Sequence, residues 1–136
     1  MKRVLLDTNA YVAFKRGHPD IVELLRRADE IVVPTVVLGE LLAGFALGRR
    51  EARNREELAA FFSSDRVQVV PADEGTADYY ARVFALLRRK GRPIPANDLW
   101  IAATTLQHGL LLVTFDEHFQ FIEGLMTATG PAQLLP

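Results

Sequence analysis

Cysteine is absent from this sequence of 136 residues. That excludes a disulfide framework, a thiol nucleophile and every zinc site built on sulfur, and leaves oxygen and imidazole as metal donors. Lysine is scarce, at three residues against thirteen arginines, and the net charge of −1 supplies no overall basic field for nucleic acid. The opening Lys2-Arg3 leads into only Val4, Leu5 and Leu6 before Asp7, too short an apolar run for a secretory leader, so the expected location is the cytoplasm. From Ile31 to Gly48 the only charged residue is Glu40. Pro34, Glu40 and three glycines make this stretch a poor spanning helix, and it reads as buried core. A composition that is 49% hydrophobic and 24% charged predicts one globular domain over residues 1–136.

The sequence does contain four carboxylates set in its most apolar surroundings: Asp7 after Val4-Leu5-Leu6, Glu40, Asp98 before Leu99-Trp100-Ile101, and Asp116 after Leu110 to Thr114. An ionised group removed from water costs several kcal/mol unless a counter-charge meets it. Taken singly, Asp7 and Asp98 also suit helix caps and Asp116 suits a turn. Glu40 lies mid-helix, where capping is unavailable, and Val36, Val37, Ala43 and Gly44 are its neighbours on the helix surface. Its ordinary alternative is a salt bridge to a distant arginine.

Apolar runs and periodicity predict strands at Lys2–Leu6, Glu30–Val33, Val67–Val70 and Leu110–Thr114, with a weak edge strand at Leu125–Thr129. Between them, helices are predicted after Asp7, from His18-Pro19-Asp20, over Val36–Leu47 with Thr35 as cap, from about Arg50 to Phe62, from Asp73-Glu74, and from Asn97 or Asp98 to His108. The third and fourth suggest a helical hairpin. Such alternation implies an α/β domain: a central parallel sheet of four to five strands flanked by helices, with a helical hairpin arm. Ligands of such sheets sit outside the carboxyl ends of the strands, where Asp7 and Asp116 belong. The positions of Glu40 and Asp98 depend on helix placement.

If the fold gathers these acids, each pair about 5 Å apart repels by roughly 3 kcal/mol at an effective dielectric near 20, so the cluster takes up protons or cations. Oxygen donors without sulfur favour Mg2+ or Mn2+, and such a site suits phosphodiester hydrolysis by one or two ions. Thr8, Asn9, Asn97 and Thr114 stand beside the acids and could orient them or hold a phosphate, although each is also an ordinary cap or turn residue. No His-x-x-x-His pair is present among His18, His108 and His118. Two arginine-rich clusters, Arg49 to Arg55 and Arg88 to Arg92, read as solvated helix faces or local phosphate patches.

Leu6-Asp7-Thr8-Asn9, the lone Glu40, Asp98-Leu99-Trp100-Ile101-Ala102-Ala103 and Thr114-Phe115-Asp116-Glu117-His118-Phe119 together resemble the PIN-domain nucleases, most closely the VapC toxins of toxin-antitoxin pairs. The resemblance implies that Asp7, Glu40, Asp98 and Asp116 form the acidic quartet, with Asp7, Asp98 and Asp116 closest to the metal and Glu40 acting through water. It implies a cytoplasmic endoribonuclease of transfer or ribosomal RNA, a homodimer silenced by a VapB-type antitoxin that engages the Val36 to Phe62 arm. The alternatives are an RNA-processing PIN nuclease without an antitoxin and a non-catalytic RNA-binding module. A phosphorelay receiver needs a lysine at a late strand end, and lysine occurs only at positions 2, 15 and 90.

Overall fold

Five short strands, β1 (Arg3–Leu6), β2 (Glu30–Pro34), β3 (Val67–Val70), β4 (Leu111–Val113) and β5 (Thr127–Ala128), make one parallel sheet in a computed structural model that describes residues 2–134. Their order is β3-β2-β1-β4-β5. The chain builds outward from β1 to β3 on one side, then returns to add β4 and β5 on the other. The order therefore reverses between β1 and β4, and the crevice at such a reversal is where ligands of open α/β sheets bind.

Val4, Leu5 and Leu6 of β1 are all at 0% exposure. A strand buried at successive positions must be covered on both faces, which explains its unbroken apolar run. The cover comes from six helices: α1 (Thr8–Lys15), α2 (Pro19–Arg27), α3 (Thr35–Leu47), α4 (Glu51–Phe62), α5 (Glu74–Arg89) and α6 (Ala96–His108). A short 3-10 helix spans Glu117–Phe121. Helix α2 buries Ile21, Leu24 and Leu25, the helical stripe expected of it. Asp73 and Thr76 close a reciprocal capping box at the start of α5, and Gly109 ends α6 at φ 63°, a left-handed conformation that favours glycine.

Helices α3 and α4 form the expected hairpin, joined through Gly48 to Arg50. An aromatic cluster ties α4 to α1, with Phe61 5.3 Å from Tyr11 and 5.4 Å from Phe14 between ring centres, and a Lys15–Glu57 ion pair of 2.9 Å adds to it.

Three local expectations change. Thr35 does not cap α3; it is the first helical residue, and extended Pro34 occupies the cap position without a side-chain hydrogen bond. Asp98 does not cap α6 either, because Pro95 pre-sets the entry and the helix begins at Ala96. The stretch Ile31 to Gly48 is core only in part. Val37 and Leu41 are buried, whereas Leu47, the last residue of α3, is 91% exposed. The second arginine cluster supports local structure: Arg92 lies 3.8 Å above the Phe121 ring, Arg88 lies 5.0 Å from Phe84, and Lys90 pairs with Glu123 at 3.3 Å.

Candidate active site

The carboxyl end of β1 delivers Asp7, and the carboxyl end of β4, its neighbour in the sheet, delivers Asp116 through Thr114 and Phe115. Backbone bonding holds this edge together: the Asp7 N–H donates to the Val113 carbonyl at 3.3 Å, and the Thr114 N–H donates to the Ala128 carbonyl at 3.1 Å. Helix α3 starts directly after β2 and carries Glu40 in its second turn. Helix α6 leads into β4, so its first turn, with Asp98, lies at the same edge. All four acids thus converge on the crevice where strand order reverses.

Asp7 is 6% exposed and accepts the Ala10 N–H at 2.9 Å, capping α1. Capping and membership of an acidic site are compatible, since one carboxylate has lone pairs for both. Burial raises the Asp7 carboxyl above the ordinary carboxylate range; the Thr114 hydroxyl and Ala10 N–H oppose that shift, and the charges of Asp116 and Glu40 reinforce it. Asp98 is raised as well, first by burial, then by Asp116, Glu40 and Asp7, with His118 acting the other way. Asp7 and Asp98 thus both lie within reach of the charges of Asp116 and Glu40.

Glu40 accepts hydrogen bonds on both oxygens, from the Thr8 hydroxyl at 2.9 Å and from the Asn97 amide at 2.8 Å. The alternative of an arginine partner is not realised. Among the described residues no lysine or arginine forms an ion pair with any of the four acids. Asp116 meets only His118, whose Nδ1 and backbone N–H both lie 2.9 Å from its Oδ1. The Thr114 hydroxyl accepts the Asp116 N–H at 3.0 Å. Thr8 and Asn97 therefore bond Glu40, and Thr114 bonds the Asp116 backbone. Asn9 does neither: it is exposed and lines a separate cleft with His18 and Phe115.

Beside Glu40 opens a groove of about 640 Å³ between α1, α3 and α4, lined by Thr8, Tyr11, Lys15, Arg16, Phe45, Arg50, Arg53 and Glu57 among others. Arg50 and Arg53 belong to the first arginine cluster, but Tyr11, Lys15 and Phe45 carried no signal in one dimension, because three helices supply them. The Tyr11 hydroxyl is buried without a partner, and burial, helped by the charge of Glu57, pushes it up to about 12.

Among the described residues no three carboxylate or imidazole groups converge tightly enough to hold an ion by direct contact alone. The donor chemistry nevertheless fits a hard divalent cation. Every donor is oxygen, among the described residues no lysine or arginine pairs with the acids, and magnesium characteristically keeps several waters while taking one or two protein carboxylates.

Residues 4–125 match the family model of the PIN domain. Ribonuclease VapC5 of Mycobacterium tuberculosis is 29% identical over 126 residues, covering 88% of this chain and 87% of that protein. The tRNA(fMet)-specific endonuclease VapC of Shigella flexneri is 28% identical over 130 residues, covering 93% and 97%. The solved structure of VapBC2 from Rickettsia felis bound to a fragment of promoter DNA superimposes with a TM-score of 0.81 at 28% identity, covering 93% of this chain and 97% of that one. A single α/β domain with a five-stranded parallel sheet, four acids at the carboxyl edge and relatives of this kind lead to one assignment: the chain belongs to the PIN-domain family, among relatives that are VapC ribonucleases.

Proposed function

We propose that this protein is a magnesium-dependent endoribonuclease, the toxin of a type II toxin-antitoxin pair, which hydrolyses phosphodiester bonds in transfer or ribosomal RNA. The observation that carries the chemistry is the gathering of four carboxylates in the β1/β4 crevice, where burial and the neighbouring acids raise Asp7 and Asp98 and, among the described residues, no lysine or arginine pairs with any of the four. Asp7, Asp98 and Asp116 would hold Mg2+, or Mn2+, with bound water completing their reach to the ion, and Glu40 would act wholly through water. When bound, the ion supplies an activated water and neutralises charge on the phosphate. The chain's own groups then do the positioning. Thr8 and Asn97 fix both oxygens of Glu40, and Thr114 fixes the turn that aims Asp116.

The ribonuclease names of the relatives support RNA as substrate, and the Shigella name supports transfer RNA within that class. A VapB-type antitoxin is supported by the Rickettsia complex and by the α3–α4 arm, whose far end leaves Leu47 bare. The bare Leu47 on this arm also suits a homodimer contact. Among the described residues no helix is long and apolar enough to cross a membrane.

The test is incubation of purified protein with total RNA, with magnesium and with a chelator, beside Asp98→Asn. Cleavage only in magnesium, abolished in a folded Asp98→Asn protein, is the expected result. Equal degradation with chelator sinks the metal mechanism, and RNA binding without any cleavage assigns the protein to the binding modules. A short adjacent reading frame encoding a DNA-binding antitoxin separates the toxin from an RNA-processing nuclease.

A further inference from the structure

Immediately beside Asp116 the protein presents two aromatic rings that the acidic chemistry does not use. Phe115 is 42% exposed although it lies between Asp116 and Thr114, itself only 4% exposed. Its backbone is held on both sides, by the Thr114 N–H to the Ala128 carbonyl at 3.1 Å and by the Asp116 N–H to the Thr114 hydroxyl at 3.0 Å. The His18 ring stands 5.4 Å away at 57° and is fixed in turn, its Nδ1 accepting the Ile21 N–H at 3.4 Å at the start of α2. Both rings border an open cleft of about 540 Å³ that also contains Asn9 and Arg16. Arg16 forms no ion pair among the described residues and lines this cleft and the groove beside Glu40 alike.

From this juxtaposition we infer that Phe115, with His18 beside it, is a stacking platform for an unpaired base of the RNA adjacent to the bond being cut, and that Arg16 meets a neighbouring phosphate. The inference rests on the nuclease reading and adds a substrate requirement to it: the bond cut lies in an unpaired segment. Sequence-selective recognition of RNA relies on splayed bases laid on aromatic or guanidinium planes, because the grooves of the A-form duplex hide the base edges. A ring held on a hydrogen-bonded turn loses little freedom on binding, and every base has a face to lay on it. His18 keeps Nε2 available and Asn9 its amide for the edge of the same nucleotide.

The test uses the Asp98→Asn protein and a short unstructured oligoribonucleotide containing 2-aminopurine, whose fluorescence is quenched on stacking. The parent and a Phe115→Tyr variant are expected to bind with quenching. Phe115→Leu, apolar but without a ring, should bind roughly 5- to 150-fold more weakly and without quenching. Circular dichroism establishes that each variant is folded. Binding and quenching by Phe115→Leu equal to the parent overturns the platform while leaving the nuclease intact. Unchanged RNA binding with loss of antitoxin binding in the same variant also overturns it and gives the cleft to the protein partner. If wild-type protein shows no magnesium-dependent cleavage and the parent binds no RNA, the nuclease reading falls and the platform falls with it.

Discussion

Asn97 donates its side-chain amide to Oε2 of Glu40 at 2.8 Å, joining two helices across 57 positions of sequence. The bond holds the one charged residue of α3 against the first turn of α6, one residue before Asp98. A partner that orients a ligand is worth about 10- to 100-fold in activity or metal affinity when removed. Asn97→Ala is therefore expected to lower the rate of RNA cleavage by about that factor while the circular dichroism spectrum is unchanged. A rate equal to wild type would show that the orientation of Glu40 is irrelevant to catalysis.

The raised carboxyls of Asp7 and Asp98 set the sign of a pH effect in metal-free protein. A group whose pKa is higher folded than unfolded binds more protons in the native state, so stability falls as pH rises from the unfolded value, about 3.9, through the raised one. In chelator, these two acids contribute a decline in melting temperature over that interval, opposed by Glu23, Glu57 and Asp73, whose lowered carboxyls add stability as pH rises. Asp98→Asn should flatten the decline and melt higher than wild type at pH 7. Asp7→Asn should behave likewise, since asparagine keeps the capping oxygen for the Ala10 N–H. A lower melting temperature for both at pH 7 would contradict this.

Magnesium should reverse the same penalty. Binding to the native state alone adds about 2.7 kcal/mol at a hundredfold excess over Kd. Calorimetry at pH 7 is expected to show a rise in melting temperature with magnesium, reversed by chelator and absent in Asp98→Asn. A rise that persists in Asp98→Asn would place the ion elsewhere.

Leu47, 91% exposed at the tip of α3, gives a separate handle on the arm. Leu47→Glu is expected to change the stability of the isolated chain by no more than about 0.5 kcal/mol, as for ordinary surface sites. It should nevertheless weaken association with a second copy or with the antitoxin, read by light scattering and by co-purification of the antitoxin. Unaltered association in both measurements would remove this end of the arm from the interface.

Much of this architecture was legible without coordinates, because the strands are continuous apolar runs and the helices carry stripes or caps that few other structures accommodate. The strands at 3–6, 30–34, 67–70 and 111–113, and the helical hairpin, fall where pattern puts them. Helix entries were less legible. Pro34 and Pro95 took cap positions for which the sequence offered Thr35 and Asp98, since a fixed φ competes with a side-chain cap in a way that composition does not reveal. Asn9 and Thr8 looked equivalent beside Asp7; on a helix adjacent residues point about 100° apart, and only Thr8 faces Glu40.

The sequence by itself determined that four acids lie in apolar surroundings, that two of them end strands, and that Glu40 has no local partner. Local physics is enough for this, because hydrophobic period and backbone preference act over a few residues. Only the tertiary structure decided that β1 and β4 are neighbours, that α6 begins at the edge where they end, and that Thr8 and Asn97 both reach Glu40. Those relationships span tens to more than a hundred residues, and strand order, which no local pattern encodes, brings them together.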